Sequence, residues 1–239
     1  MRAHKHIPRI YIQQPLNLDA SILVRDQIAH HLLHVMRVKV GRTVYVFNDQ
    51  QQEFLCEVTE TARHAVTLLC REAITRQTES PCKLHLYQAI ARGDRMDFGI
   101  QKAVELGVTA ITPMVTEHSL SHKEAEKRLV HWQGVIVSAC EQCERQVIPA
   151  LHAPQTFDEV LTTTADQTNV LLHVTGEVLS LKEKPTQINL FIGPEGDFSD
   201  EELSAAATAH RLRLGPRIMR TETATAAAIA ILQSQFGDF

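Results

Sequence analysis

Apolar positions follow two different rhythms along the chain. Through the first 75 residues they come in short β-branched or aromatic runs: RIYI (9–12), RTVYVFN (42–48), EFLCEV (53–58) and AVTLLC (65–70). Such runs predict strands, and the polar NDQQQ (48–52) predicts a hairpin loop between two of them. Ile28, Leu32, Val35 and Met36 recur near a 3.6-residue period, which predicts one short helix over 28–38, with Gly41 as its stop. This part reads as a small β-barrel-like domain, residues 1–74.

A polar stretch around Pro81, residues 75–82, reads as a linker. Beyond it the rhythm alternates. KLHLYQAIA, VTAITPMV, NVLLHV, INLFIG and RLRLG predict strands. MDFGIQKAVELG, EAEKRLVHWQGVIVSACEQC, SDEELSAAATAH and ETATAAAIAILQSQF predict helices. Near-continuous apolar strands alternating with helices imply an α/β domain, residues 83–239, built on a mostly parallel sheet covered on both faces.

Composition narrows the classes without naming one. Hydrophobic residues make up 44% of the 239 and charged residues 22%, which excludes a disordered chain, a collagen and a disulfide miniprotein. No apolar run reaches the ~18 residues of a membrane span. The start, MRAHKHIPRI, lacks the apolar run of a signal peptide, so a cytoplasmic location is expected. Five scattered cysteines read as reduced thiols. Cys140 and Cys143 form one C-x-x-C inside a helix-like run with no second pair, so no metal site is expected.

Charge is unevenly spread. The net charge is −4, yet residues 1–45 hold seven basic side chains (Arg2, Lys5, Arg9, Arg25, Arg37, Lys39, Arg42) against Asp19 and Asp26. Five histidines (His4, His6, His30, His31, His34) share that stretch, whereas residues 151–239 carry six basic and twelve acidic groups. The basic end is either a solvated surface or an anion-facing patch for phosphates, and charge alone leaves both open.

Two strand-to-helix loops carry candidate chemistry, because open α/β sheets bind ligands beyond the carboxyl ends of their strands. The first is Gly193-Pro194-Glu195-Gly196, followed by a capping box at Ser199 and Glu202. Its backbone groups suit a nucleoside; phosphate motifs of the GxxxxGK[ST] and GxGxxG kinds are absent. The second runs from Leu214-Gly215-Pro216 through Arg217 and Arg220 to Thr221-Glu222-Thr223, where a threonine is expected to cap the last helix. Arg92 and Arg95, after the strand 83–91, add two cations near the same edge.

The segments ARGDRMDFGIQKAVELGVTAITPMVTEHS, SACEQC, NLFIGPEGDFSDEEL and LGPRIMRTETATAAAIAILQ resemble the 16S ribosomal RNA uridine-N3-methyltransferases, the RsmE family of SPOUT-class enzymes. IPRIYI and HHLLHVMRVKVGRTVYVF resemble the family's PUA-like RNA-binding domain, so the likeness runs through nearly the whole chain. It implies a catalytic domain with a deep trefoil knot, S-adenosyl-L-methionine as methyl donor, a homodimer, and small-subunit 16S rRNA as partner. Carried over residue by residue, Leu172 and His173, Gly193, Pro194, Glu195 and Gly196, and Leu214, Gly215, Pro216, Ile218, Met219, Arg220, Thr221 and Glu222 would face the cofactor. The family usually reads GPEGGF where this chain has Asp197, a residue that tolerates the left-handed backbone expected there.

Methylation of uridine N3 needs its imide proton removed and the developing charge stabilised. Arg220 is expected to supply the cation, and Glu195 or Glu222 to accept the proton. Arg9, Arg37, Arg92 and Arg95 are the expected RNA contacts. Two alternatives stand beside this: methylation of another RNA position, such as a ribose hydroxyl, or a non-catalytic RNA-binding assembly factor.

Overall fold

In the computed structural model, residues 7–178 and 184–239 are described. Arg2, His4, Lys5 and His6 of the basic patch lie outside them. The chain forms two compact units, residues up to Thr78 together with Cys140–Val147, and Glu79–Ala139 together with Ile148–Phe239.

The first unit contains β1 (Arg9–Tyr11), β2 (Ser21–Arg25), α1 (Asp26–His30), β3 (Thr43–Phe47), β4 (Glu53–Ala62) and β5 (Ala65–Ala73). Its sheet order is β1-β3-β4-β5-β2, with β1 parallel to β3 and the other pairs antiparallel. The expected barrel is therefore an open five-strand path with β1 and β2 as its edges. Inward residues Val44, Val46, Cys56, Val58, Val66, Leu68 and Cys70 are fully buried. β2 is an addition to the predicted strands. Its signal is only two buried residues, Ile22 and Val24, alternating with exposed neighbours. The single helix expected over 28–38 is instead α1 running into a π-helical turn, His31–Val35; Arg37 beyond it has a left-handed φ of 52°.

The second unit comprises β6 (Lys83–Ala89), α2 (Asp94–Glu105), β7 (Ala110–Val115), α3 (His122–Glu126), α4 (Leu129–Cys143), β8 (Ala150–Leu151), β9 (Gln155–Thr156), α5 (Phe157–Thr163), β10 (Asn169–Glu177), β11 (Gln187–Ile192), α6 (Asp200–Ala205), β12 (His210–Leu212) and α7 (Thr221–Phe236). The sheet runs β12-β10-β11-β6-β7-β8 with β9 also on β7, and every pair is parallel. All carboxyl ends therefore share one edge. Helix α4's last residues, from Cys140, belong with the first unit.

The helix expected over 124–143 is instead two: α3, which a Ser121–Glu124 capping box starts early, and α4. Helix α5 was not predicted, yet Thr156 and Glu159 form the same capping box that marks α6 at Ser199 and Glu202. Among the described residues no helix is long and apolar enough to cross a membrane.

Strand β10 is irregular at the edge that matters. Leu172 pairs with Leu212 of β12, and so does Glu177, so residues 173–176 leave the ladder and return. Gly176 permits this: a Cβ there would lie 2.6 Å from the Arg211 carbonyl oxygen.

Candidate functional site

The loops after β11 and β12 and the detour in β10 converge at the carboxyl edge of three adjacent strands. Between them lies a cleft of about 370 Å³. One wall is Leu172, His173 and Val174 from β10; the floor is Ile192 with Gly193, Pro194, Glu195 and Asp197 from the next loop. The opposite wall is Arg213, Leu214, Gly215, Arg217, Ile218, Met219 and Arg220, closing on Thr221 and Ala224 of α7. Of the residues expected to face a cofactor, Pro216 and Glu222 are not on its lining, and Gly196 lines a neighbouring open cleft instead.

The first loop is a tight turn in which the Asp197 N–H donates to the Pro194 carbonyl at 3.0 Å. Asp197 takes φ 63°, the left-handed region expected for it. Its Oδ1 accepts the Phe198 N–H at 2.9 Å, and its Oδ2 lies 3.4 Å from His173 Nε2. His173 Nδ1 accepts the Thr175 N–H at 3.2 Å, which leaves the ring proton on Nε2, toward Asp197. Gly193 lets the Phe198 ring close over the loop, since a Cβ there would meet the ring at 3.1 Å.

The second loop ends at α7 in a way the sequence reading did not anticipate. Neither Thr221 nor Thr223 caps the helix: Arg220 occupies the N-cap position without a side-chain bond. The Thr221 hydroxyl instead donates to the Gly193 carbonyl at 2.9 Å, tying the two loops together. Arg217 and Arg220 are exposed, and their side chains make no hydrogen bond or ion pair among the described residues. They face the positive end of a 16-residue helix, and both favour an anionic group there.

The expected proton acceptors differ in character. Partial burial acts to raise the Glu195 pKa, but its own N–H, the Arg95 guanidinium and the Arg92 N–H outweigh that and hold it below the ordinary carboxylate value. Arg95 bonds it at 2.6 Å. A carboxylate so stabilised is a weak base. Glu222 has a buried Oε2 with no hydrogen-bond partner among the described residues.

The expected RNA contacts also separate. Arg9 is buried, 4% exposed, and is withdrawn as a contact: its guanidinium bonds both Glu53 oxygens at 3.1 Å and the Cys140 and Arg145 carbonyls at 2.6 and 2.9 Å. It also lies 3.6 Å over the Phe47 ring. Arg37 and Arg92 are exposed, and Arg95 is half-buried against Glu195. Arg92, Arg95, His118, Glu195 and Gly196 line the second, open cleft of about 710 Å³. His118 was not foreseen; a Cβ on Gly196 would lie 2.9 Å from its Cβ, so the glycine admits it.

Residues 78–233 match the RNA methyltransferase domain family, and residues 24–69 match the RNA methyltransferase PUA domain family. Ribosomal RNA small subunit methyltransferase E of Buchnera aphidicola (Schizaphis graminum) is 34% identical over 242 residues, 98% of either chain. Its Bacillus subtilis counterpart is 26% identical and covers 93% of each. The crystal structure of a ribosomal RNA small subunit methyltransferase E from Neisseria gonorrhoeae bound to S-adenosyl methionine superposes with TM-score 0.91 at 34% identity, over 98% of this chain and all of that one. A Legionella pneumophila methyltransferase with bound cofactor SAM gives 0.92 at 32% identity, over the same shares. The chain therefore belongs to the ribosomal RNA small subunit methyltransferase E family of RNA methyltransferases.

Proposed function

We propose that this protein methylates N3 of a specific uridine in the 16S rRNA of the small ribosomal subunit, using S-adenosyl-L-methionine. The observation that carries the reading is the cleft closed by the Gly193–Asp197 and Arg213–Arg220 loops. Its lining suits the donor. Leu172, Ile192, Leu214 and Met219 offer apolar surface to a nucleoside, Arg217 and Arg220 suit a carboxylate, and Glu195 and Asp197 suit cationic groups. When bound, the donor supplies a methyl already activated on a sulfonium.

The chain's residues supply position and charge. Arg220 stabilises the negative charge that develops on the uracil imide. Glu222, acting through water, is the better acceptor for the N3 proton, because Glu195 is committed to Arg95. The uridine enters unpaired or flipped, since N3 is hidden inside a base pair. Arg92 and Arg95 of the open cleft and Arg37 of the first unit hold phosphates. Residues 1–74, before the 75–82 linker, thus serve as an RNA-holding PUA-like domain and 83–239 as the catalytic one.

Three further features belong to this proposal. A trefoil knot of the SPOUT kind is supported by membership of the RNA methyltransferase domain family. A homodimer is part of the same reading and rests on the family resemblance. A cytoplasmic location follows from the substrate.

The test is methylation of small subunits from cells lacking this protein, with labelled donor and mass spectrometry of the nucleosides. The expected product is 3-methyluridine. A 2'-O-methyl nucleoside would move the activity to ribose, and no incorporation together with no donor binding would leave an RNA-binding assembly factor.

A further inference from the structure

We propose that Gln88 is a positioning residue for the cofactor cleft, holding the start of α7 and the Gly193 loop in fixed register through two threonine hydroxyls. The proposal rests on the reading of that cleft as the S-adenosylmethionine site.

Gln88 sits near the carboxyl end of β6, 2% exposed, and is not on the lining of the cleft. Its Nε2 donates to the Ala89 carbonyl at 3.2 Å and to the Thr221 hydroxyl at 3.2 Å. Its Oε1 accepts from the Thr225 hydroxyl at 2.6 Å. Thr225 is fully buried one turn into α7, and its hydroxyl also lies 2.8 Å from the Thr221 carbonyl.

Direction matters in this chain of bonds. Thr221 has one hydroxyl proton, and it goes to the Gly193 carbonyl at 2.9 Å. That is possible because Gln88 presents a donor, not an acceptor, to the same oxygen. The Ala89 carbonyl fixes which way the amide faces, since a reversed amide would set two oxygens against each other. One buried amide thus sets the donor direction of the contact joining both cofactor loops. An acceptor at position 88 would compete for the Thr221 proton and release Gly193. Buried networks of this kind hold functional groups in place only while every member is satisfied.

The experiment uses the full chain with Gln88→Met, Gln88→Glu, Thr225→Val and Thr225→Ser. It measures S-adenosylmethionine Kd by calorimetry, amide exchange at Asp197 in the ligand-free protein, and KM against kcat. Gln88→Met, Gln88→Glu and Thr225→Val are expected to raise Kd and KM about ten- to hundredfold, as loss of a buried partner does. Asp197 exchange should quicken about tenfold, with kcat at saturation within about threefold. Thr225→Ser, which keeps the hydroxyl, should stay within about threefold of the parent throughout. A folded Gln88→Met with unchanged Kd and unchanged exchange overturns the proposal, as does a Thr225→Ser that behaves like Thr225→Val. Should Gln88→Met fail to fold, the Thr225 pair decides. If the parent chain bound no donor, the reading of the cleft would fall, while Asp197 exchange would still decide whether Gln88 holds the loop.

Discussion

Two charged residues, Asp197 and Arg9, are held by the fold in quite different ways. Asp197 holds φ 63° with both carboxylate oxygens engaged, on Phe198 N–H and His173. Asp197→Ala keeps the left-handed backbone without either contact and should cost about 1–2 kcal/mol in urea denaturation. Asp197→Gly relieves the backbone as it loses the contacts, so its stability should stay within about 1 kcal/mol of the parent. Arg9 carries a different lesson. It lay in the most basic stretch of the chain, but charge counts hold no information about which side chain a strand turns inward. Removing it strands the fully buried Glu53 beside Arg76 alone. Arg9→Ala should therefore lose about 3–5 kcal/mol of stability, and its folded fraction should bind RNA with unchanged salt dependence.

At the scale of elements, the sequence was clearest where a run was long or a cap was present. The central strands β6, β10 and β11 are mostly apolar runs, and α6 was placed by Ser199 and Glu202. Short β8 and β9 were illegible because two residues carry no period, and pairing alone makes them strands; β2 offered only Ile22 and Val24 as apolar alternates. The α7 start was misread because Thr221 has two possible partners, its own helix or Gly193, and only the fold brings Gly193 near. Gln88 had a faint signal: a polar residue in the apolar second half of β6. Strand β6 also carries a pH dependence. Burial first, and His152 second, lower the His85 pKa from 6.5 to about 4, with Tyr87 stacked at 4.1 Å. The unfolded chain then binds the proton more readily, so this contribution is complete above pH 6.5 and is lost as pH falls toward 4. Denaturation at pH 7 and 4.5 should show the parent losing on the order of 2–3 kcal/mol more than His85→Gln.

Across the whole molecule, the net charge of −4 conceals a basic beginning and an acidic end. The family and the order of the loops that line the cleft could be read from sequence, because they reside in contiguous motifs. Which arginines face outward could not, because that depends on register. Arg37 and Arg92 are exposed, so Arg37→Ala or Arg92→Ala should each reduce the slope of log affinity against log salt by about 0.7–0.9 on ribosomal RNA. Filter binding across a salt series checks this. The all-parallel sheet has a temporal consequence as well. Strand β6 lies between β7, which follows it closely, and β11, which is about a hundred residues further along. At roughly 5–20 residues per second of synthesis, the emerging chain spends about 5–20 s with one edge of its central apolar strand open. For that interval the nascent protein presents a sticky template to its neighbours on a polysome, and trigger-type holding factors have most to shield there.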